Sequence, residues 1–251
     1  MLATRELYDQ SATRWERTEP VLLSDFTARP AVLRACGLLG GREVLDLGCG
    51  EGYVARQLAA RGAARVQAFD ISEEMVARAR AREVETPLGI QYEARDLTQG
   101  LDLEPESVDL ALAVFLFNYL SIRQMRRVMR EVATALRPGG RFLFSVPHPL
   151  IPFVRGVEAP FGFDRGEHTY LSGRDVEFEG RIWRRDGGSV GVRCVHKTAQ
   201  DYFVALAEAG FAPVPRVQEL GVTPEHLELD EAFFGPVADL PLHLLFEAVR
   251  P

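Results

Sequence analysis

The stretch Val44-Leu45-Asp46-Leu47-Gly48-Cys49-Gly50-Glu51-Gly52 joins an apolar run to an acid and three alternate glycines. It reads as a strand, Glu43–Leu47, feeding a turn in which bare backbone approaches a ligand, because glycine lacks Cβ and accepts positive φ. A helix predicted over 53–61 points its unpaired N–H groups at the same place. A dinucleotide fingerprint, G-x-G-x-x-G or A, needs a small residue where this chain has Tyr53. Asp46, two residues before the first glycine, brings negative charge to the cradle. That disfavours a phosphate and favours an ammonium group.

Working outward, strand and helix signals alternate. Strands are predicted over 65–69, ending in Asp70; 90–94, ending before Asp96; 108–115, an unbroken apolar run; and 141–146, leading into Pro147-His148-Pro149. Ser72-Glu73-Glu74 opens a helix with a hydroxyl cap and acids in its first turn. Another helix, over 122–136, stops at Pro138-Gly139-Gly140. This alternation predicts a parallel sheet with right-handed crossovers, whose ligands bind beyond the carboxyl ends of the strands. Asp46, Asp70, Asp96 and Asn118 fall there.

Before the first strand, residues 1–30 read as a helical arm carrying Tyr8 and Trp15, and 31–39 as a helix stopped by Gly40-Gly41. The regularity breaks after residue 149, where two strands flank the hairpin signal Asp186-Gly187-Gly188. The segment 150–197 therefore reads as an insertion covering substrate. A helix over 199–209, a strand near 214–220, an acidic turn-rich stretch and a last strand, His243–Val249, complete the chain. One domain is expected over 1–251: an arm (1–30), a ligand-binding core (31–149), the insertion (150–197) and the remainder of the core (198–251).

Composition narrows the function. A net charge of −7 with scattered arginines argues against a nucleic-acid surface. Lys197 is the only lysine, so no Gly-Lys phosphate loop exists. The three cysteines form no C-x-x-C, which suggests a reducing compartment and no metal site. Charged residues at 5 and 6 and the shortness of the longest apolar run predict neither signal peptide nor membrane span, hence a cytoplasmic location.

The glycine motif resembles that of the class I S-adenosylmethionine (SAM) dependent methyltransferases, in particular small-molecule enzymes of the ubiquinone and menaquinone biosynthesis type. The resemblance covers about 42–146 well and 198–250 loosely. It implies a Rossmann-like, seven-stranded, mostly parallel sheet with an antiparallel last strand and helices on both faces. It also implies SAM as methyl donor and S-adenosyl-L-homocysteine as product. By the resemblance, Asp46, Gly48 and Gly50 hold the amino-acid tail, Asp70 the ribose hydroxyls, Asp96 and Leu97 the adenine, and Ile71 the adenine face. A carboxylate accepts two bonds from a diol. Tyr8 and Trp15 resemble the aromatic arm that covers SAM in many relatives, where a sulfonium gains cation–π stabilisation.

For the acceptor, Asn118 and Tyr119 follow the fourth strand, where the family places residues around the transferable methyl. Phe115 reads as core. His148 is the candidate base, since an imidazole with a pKa near 6.5 abstracts protons at neutral pH. His168, Tyr170 and His196 are candidate substrate contacts; Thr198 reads as a helix cap, which gives His196 a structural alternative. His226 and His243 read as surface or packing residues. Phe153, Phe161, Phe163, Tyr170, Trp183, Phe233 and Phe234 offer an apolar lining or a satellite core. The expected reaction is in-line methyl transfer to a small aromatic or lipophilic acceptor, at oxygen or nitrogen rather than carbon. A nicotinamide-dependent oxidoreductase and a non-catalytic SAM-binding module remain as alternatives. Monomer and homodimer both stay open.

Overall fold

A computed structural model describes residues 4–15, 19–154 and 160–251. The parts of the predicted arm and insertion at 1–3, 16–18 and 155–159 lie outside the described residues.

In chain order the elements are α1 (Thr4–Trp15), α2 (Leu23–Thr27), α3 (Arg29–Cys36), β1 (Glu43–Leu47), α4 (Tyr53–Ala60), β2 (Arg65–Asp70), α5 (Glu73–Glu85), β3 (Ile90–Ala94) and β4 (Val108–Val114). They continue with α6 (Ile122–Ala135), β5 (Leu136–Pro147), β6 (Phe161–Asp164), β7 (Glu177–Trp183), β8 (Ser189–Val195), α7 (Ala199–Glu208), β9 (Arg216–Leu220), α8 (Pro224–Leu229), α9 (Glu231–Phe234) and β10 (His243–Val249). Seven strands form one sheet in the order β3-β2-β1-β4-β5-β10-β9. β1 runs parallel to β2 and β4, and β10 runs antiparallel to both β5 and β9. The expected doubly covered sheet with an antiparallel last strand is therefore present.

Apolar residues on both faces of the central strands explain the layering. Leu45, Leu47, Ala111 and Phe144 pack toward α6 and α7, whereas Val44, Leu110, Leu112 and Leu143 pack toward α3, α4 and α5. Phe144 is fully buried and stacks on Phe246 at 4.6 Å, joining β5 to β10. Burial of one such side chain contributes about 1.5–3 kcal/mol. Caps fix the helix starts: Ser121 accepts from the Gln124 amide at 3.2 Å, and Ser72 accepts from that of Met75 at 3.1 Å.

Three local expectations need correction. The Pro138-Gly139-Gly140 stop belongs to β5, because α6 ends at Ala135 and the strand begins at once. Gly139 N donates to Arg250 O and Arg250 N to Gly140 O, both at 2.9 Å, so Arg250 ties down this segment, in which Gly139 takes a φ of 74°. β6 has no counterpart in the sequence reading; with β7 and β8 it makes a separate antiparallel sheet. The acidic stretch before β10 contains α8 and α9. Among the described residues, no helix is long and apolar enough to cross a membrane.

Candidate active site

A cavity of about 580 Å3 opens beyond the carboxyl ends of β1, β2 and β4 and extends beneath β6 and β8. Strand ends supply its polar side. Gly48, Gly50 and Gly52 have φ of 75°, 55° and 83°, but the three differ in function. A Cβ on Gly50 would meet nothing within 4 Å, which leaves open space above that backbone for a ligand. Gly52 instead lies against Tyr92 and serves packing.

Asp70 closes the loop from the neighbouring strand. Its Oδ2 accepts from the Gly50 amide at 2.8 Å and its Oδ1 from the Ser72 amide at 2.9 Å, so each oxygen keeps a lone pair for a further donor. Burial raises its pKa, and the amides of Ser72 and Gly50 oppose that shift. Asp46 also lines the cavity; its buried Oδ2 has no partner among the described residues. Burial, reinforced by the charge of Asp70, raises its pKa to about 7. An orphaned buried carboxyl beside an open glycine cradle suits an incoming ammonium group. The polar atoms present thus match an amino-acid tail and a ribose.

The residues expected on the nucleoside side lie in the same cavity. Ile71, Asp96 and Leu97 line the cavity, and Asp96 Oδ1 accepts from the amide and hydroxyl of Thr98 at 2.9 and 2.7 Å. Helix α1 brings Tyr8 and Trp15 to the opposite wall with ring centroids 5.4 Å apart. Tyr8 meets Tyr119 edge-on at 5.5 Å, and burial raises the pKa of both phenols. Asp9 fastens this helix: its Oδ1 accepts from the Ser72 hydroxyl at 2.5 Å, two residues from Asp70. Asn118 is buried, its Oδ1 has no partner among the described residues, and it also lines the cavity.

Phe115 belongs to this wall too. It has φ of 59°, a conformation costing a non-glycine residue about 1–3 kcal/mol, and its amide donates to Ser145 O at 2.9 Å. Arg29 lies 5.3 Å above its ring. The strained turn directs the Phe115 side chain into the cavity lining as well as against the core.

The histidines are redistributed. Among the described residues lining the cavity, His148, His168, Tyr170 and His196 are absent. His148 Nδ1 accepts from the Leu150 amide at 3.2 Å, and its Nε2 lies 3.4 Å from Glu219 Oε1. Both ring nitrogens are therefore engaged away from the cavity, and burial lowers its pKa. His196 is buried among Phe153, Tyr170 and Phe178 and bonds Tyr170 O through Nε2 at 2.9 Å. Thr198 caps α7 with Asp201, as its position suggested. His168 is exposed and leans on Phe178. Of the predicted aromatic lining, Phe161 and Phe163 reach the cavity; Phe234 joins a satellite core with Leu23, Ile151 and Leu242.

His243 is the residue that sequence reasoning missed. It lines the cavity from the first position of β10, paired with Pro147 of β5. Because β10 is antiparallel, its beginning lies at the ligand edge where the parallel strands end. An antiparallel last strand starting with histidine was the available signal.

A family model described as a methyltransferase domain matches residues 44–140. A solved S-adenosylmethionine dependent methyltransferase from Mesorhizobium loti is 33% identical, with a TM-score of 0.66, over 88% of this chain and 96% of that one. A demethylmenaquinone methyltransferase from Tropheryma whipplei is 35% identical over 158 residues, 60% of this chain and 63% of its own. A ubiquinone biosynthesis O-methyltransferase from Aeromonas salmonicida is 30% identical over 126 residues, 49% and 52% of the two chains. The chain thus spans between half and two thirds of the length of these two curated relatives. The chain belongs to the class I SAM-dependent methyltransferases, whose methyl donor is SAM. That membership sets aside the nicotinamide alternative.

Proposed function

We propose that this protein transfers a methyl group from SAM to a small aromatic or lipophilic acceptor at oxygen or nitrogen. The observation that carries this reading is one cavity with two chemistries. Asp46, Gly50, Asp70 and Asp96 form a polar half, continuous with an apolar half built from Phe115, Phe161, Phe163, Ile182, Val192 and Leu242. The name of the Aeromonas relative, an O-methyltransferase, supports an oxygen acceptor.

Bound SAM supplies an electrophilic methyl on a sulfonium with a neutral leaving group. The protein's contribution is alignment and exclusion of water. Asp46 pairs with the ammonium, Asp70 accepts from the ribose hydroxyls, and Asp96 with Leu97 takes the adenine against Ile71. Tyr8 and Trp15 cover the donor. The segment 150–197, including β6 to β8, acts as the lid that shapes the acceptor half. An ensemble of phenols, quinols and arylamines incubated with labelled SAM tests the reading. Methylated product from at least one class supports it, whereas SAM binding without product from any would leave a SAM-binding module.

A further inference from the structure

Thr27 Oγ1 lies 2.9 Å from Leu23 O and 2.9 Å from His243 Nε2. A hydroxyl has one proton, and a carbonyl oxygen only accepts. The Thr27 proton therefore goes to Leu23, and the ring must supply the proton of the second bond. Nε2 is the protonated nitrogen, which leaves Nδ1 with a free lone pair. That Nδ1 is buried and has no partner among the described residues, in a residue 7% exposed that lines the cavity. A buried acceptor without a donor costs about 1–3 kcal/mol, so few survive without a use. The ring is braced edge-on against Phe115 at 5.1 Å, on the wall of the acceptor half.

We propose that His243 is a catalytic residue whose Nδ1 accepts the hydrogen bond of a phenolic acceptor hydroxyl and takes its proton as the methyl arrives. This rests on the methyl-transfer reading and adds the acceptor's class to it. The oxygen lone pair forms the new C–O bond, and the S–C bond breaks with its electron pair going to sulfur. The O–H pair stays on oxygen while the proton passes to Nδ1. The resulting imidazolium keeps its Nε2–H bond to Thr27 and returns a proton to water when product leaves. Burial, with the charges of Arg29 and His148, lowers the His243 pKa to about 3, so the ring is neutral and free to accept near pH 7. So weak a base suffices, because an oxygen bearing both methyl and proton is far more acidic than the phenol.

The test compares phenol with anisole, its O-methyl counterpart, in calorimetry on protein saturated with S-adenosyl-L-homocysteine. Phenol should bind about tenfold tighter than anisole, one hydrogen bond's worth. The preference should persist in His243→Asn, whose Oδ1 can replace Nδ1. It should vanish in His243→Gln, which keeps a group near Thr27 but lacks an acceptor at the δ position. Equal binding of the two probes to the wild type, no phenol binding, or a preference surviving in His243→Gln would each overturn the proposal. An imidazole 15N spectrum of the wild type gives a second measurement independent of any variant. A proton on Nδ1 in the free protein would overturn the assignment. Product assays with labelled SAM address the methyl-transfer reading separately, so the two can fail independently.

Discussion

A Cβ on Gly52 would stand 2.4 Å from the Tyr92 hydroxyl and 2.9 Å from two of its ring carbons. The third glycine of the motif is thus a packing residue, while Gly50 faces open space. Gly52→Ala should lose at least about 2 kcal/mol of stability, from overpacking added to a φ of 83°. Gly50→Ala should lose about 1–2 kcal/mol from its left-handed backbone alone but bind SAM poorly. Urea denaturation and calorimetry on the two variants separate these effects.

Asp46 should link ligand binding to pH. Its pKa in the ligand-free protein is raised to about 7, firstly by burial and then by Asp70, against about 3.9 in an unfolded chain. Between these values the folded state keeps a proton that the unfolded state has released. This group therefore makes the ligand-free protein less stable as pH rises from about 4 to 7, with no further change above. SAM binding runs the other way, because an ammonium pairs with the ionised carboxylate. Affinity should fall by up to about tenfold per pH unit below 7. In Asp46→Asn the affinity should be low and flat over the same range, as read by titrations at pH 5.5 to 8.

The contact of α1 with the start of α5 should set the lifetime of a SAM complex. Ser72 is fully buried and donates its hydroxyl to Asp9 while accepting from Met75, so removing Asp9 frees the arm but leaves the helix cap. Asp9→Ala, which removes the bond from Ser72 and a longer one from the Glu74 amide at 3.4 Å, should accelerate SAM release about three- to tenfold, with little change in global stability. Stopped-flow fluorescence of Trp15, in a Trp183→Phe background, reads that rate.

His196 sits in an aromatic cage with Phe153 at 4.8 Å and Tyr170 at 5.2 Å. His196→Ala should cost about 2–4 kcal/mol through the cavity and the stranded Tyr170 carbonyl. SAM affinity should not change. Denaturation with calorimetry on the same variant checks both halves of this expectation.

The legible part of the site was the part written contiguously. Asp46 and Asp70 lie at the carboxyl ends of β1 and β2, and Gly48, Gly50, Ile71, Asp96 and Leu97 lie just beyond those of β1, β2 and β3, so periodicity and turn residues placed them at the edge where such sheets bind ligands. The histidines defeated that approach because their roles depend on which way a side chain points after the strand ends. Pro147 lines the cavity, yet the next residue, His148, turns toward Glu219 of β9. His243 is separated from Thr27 by most of the chain, and the hydrogen bond that sets its tautomer exists only after α2 and β10 meet. The strained backbone of Phe115 likewise has no sequence signal, since an aromatic at the end of an apolar run reads as core.

The central claim is that this cavity holds SAM through the carboxylate that also closes its glycine loop. Titration of SAM into the wild type and Asp70→Ala tests it most directly. The wild type should bind at one site, and the variant about thirtyfold or more weaker, near 2 kcal/mol, because the ribose loses a charged acceptor and the Gly50 amide its partner. No binding to the wild type, or equal affinity in the variant, would contradict the account.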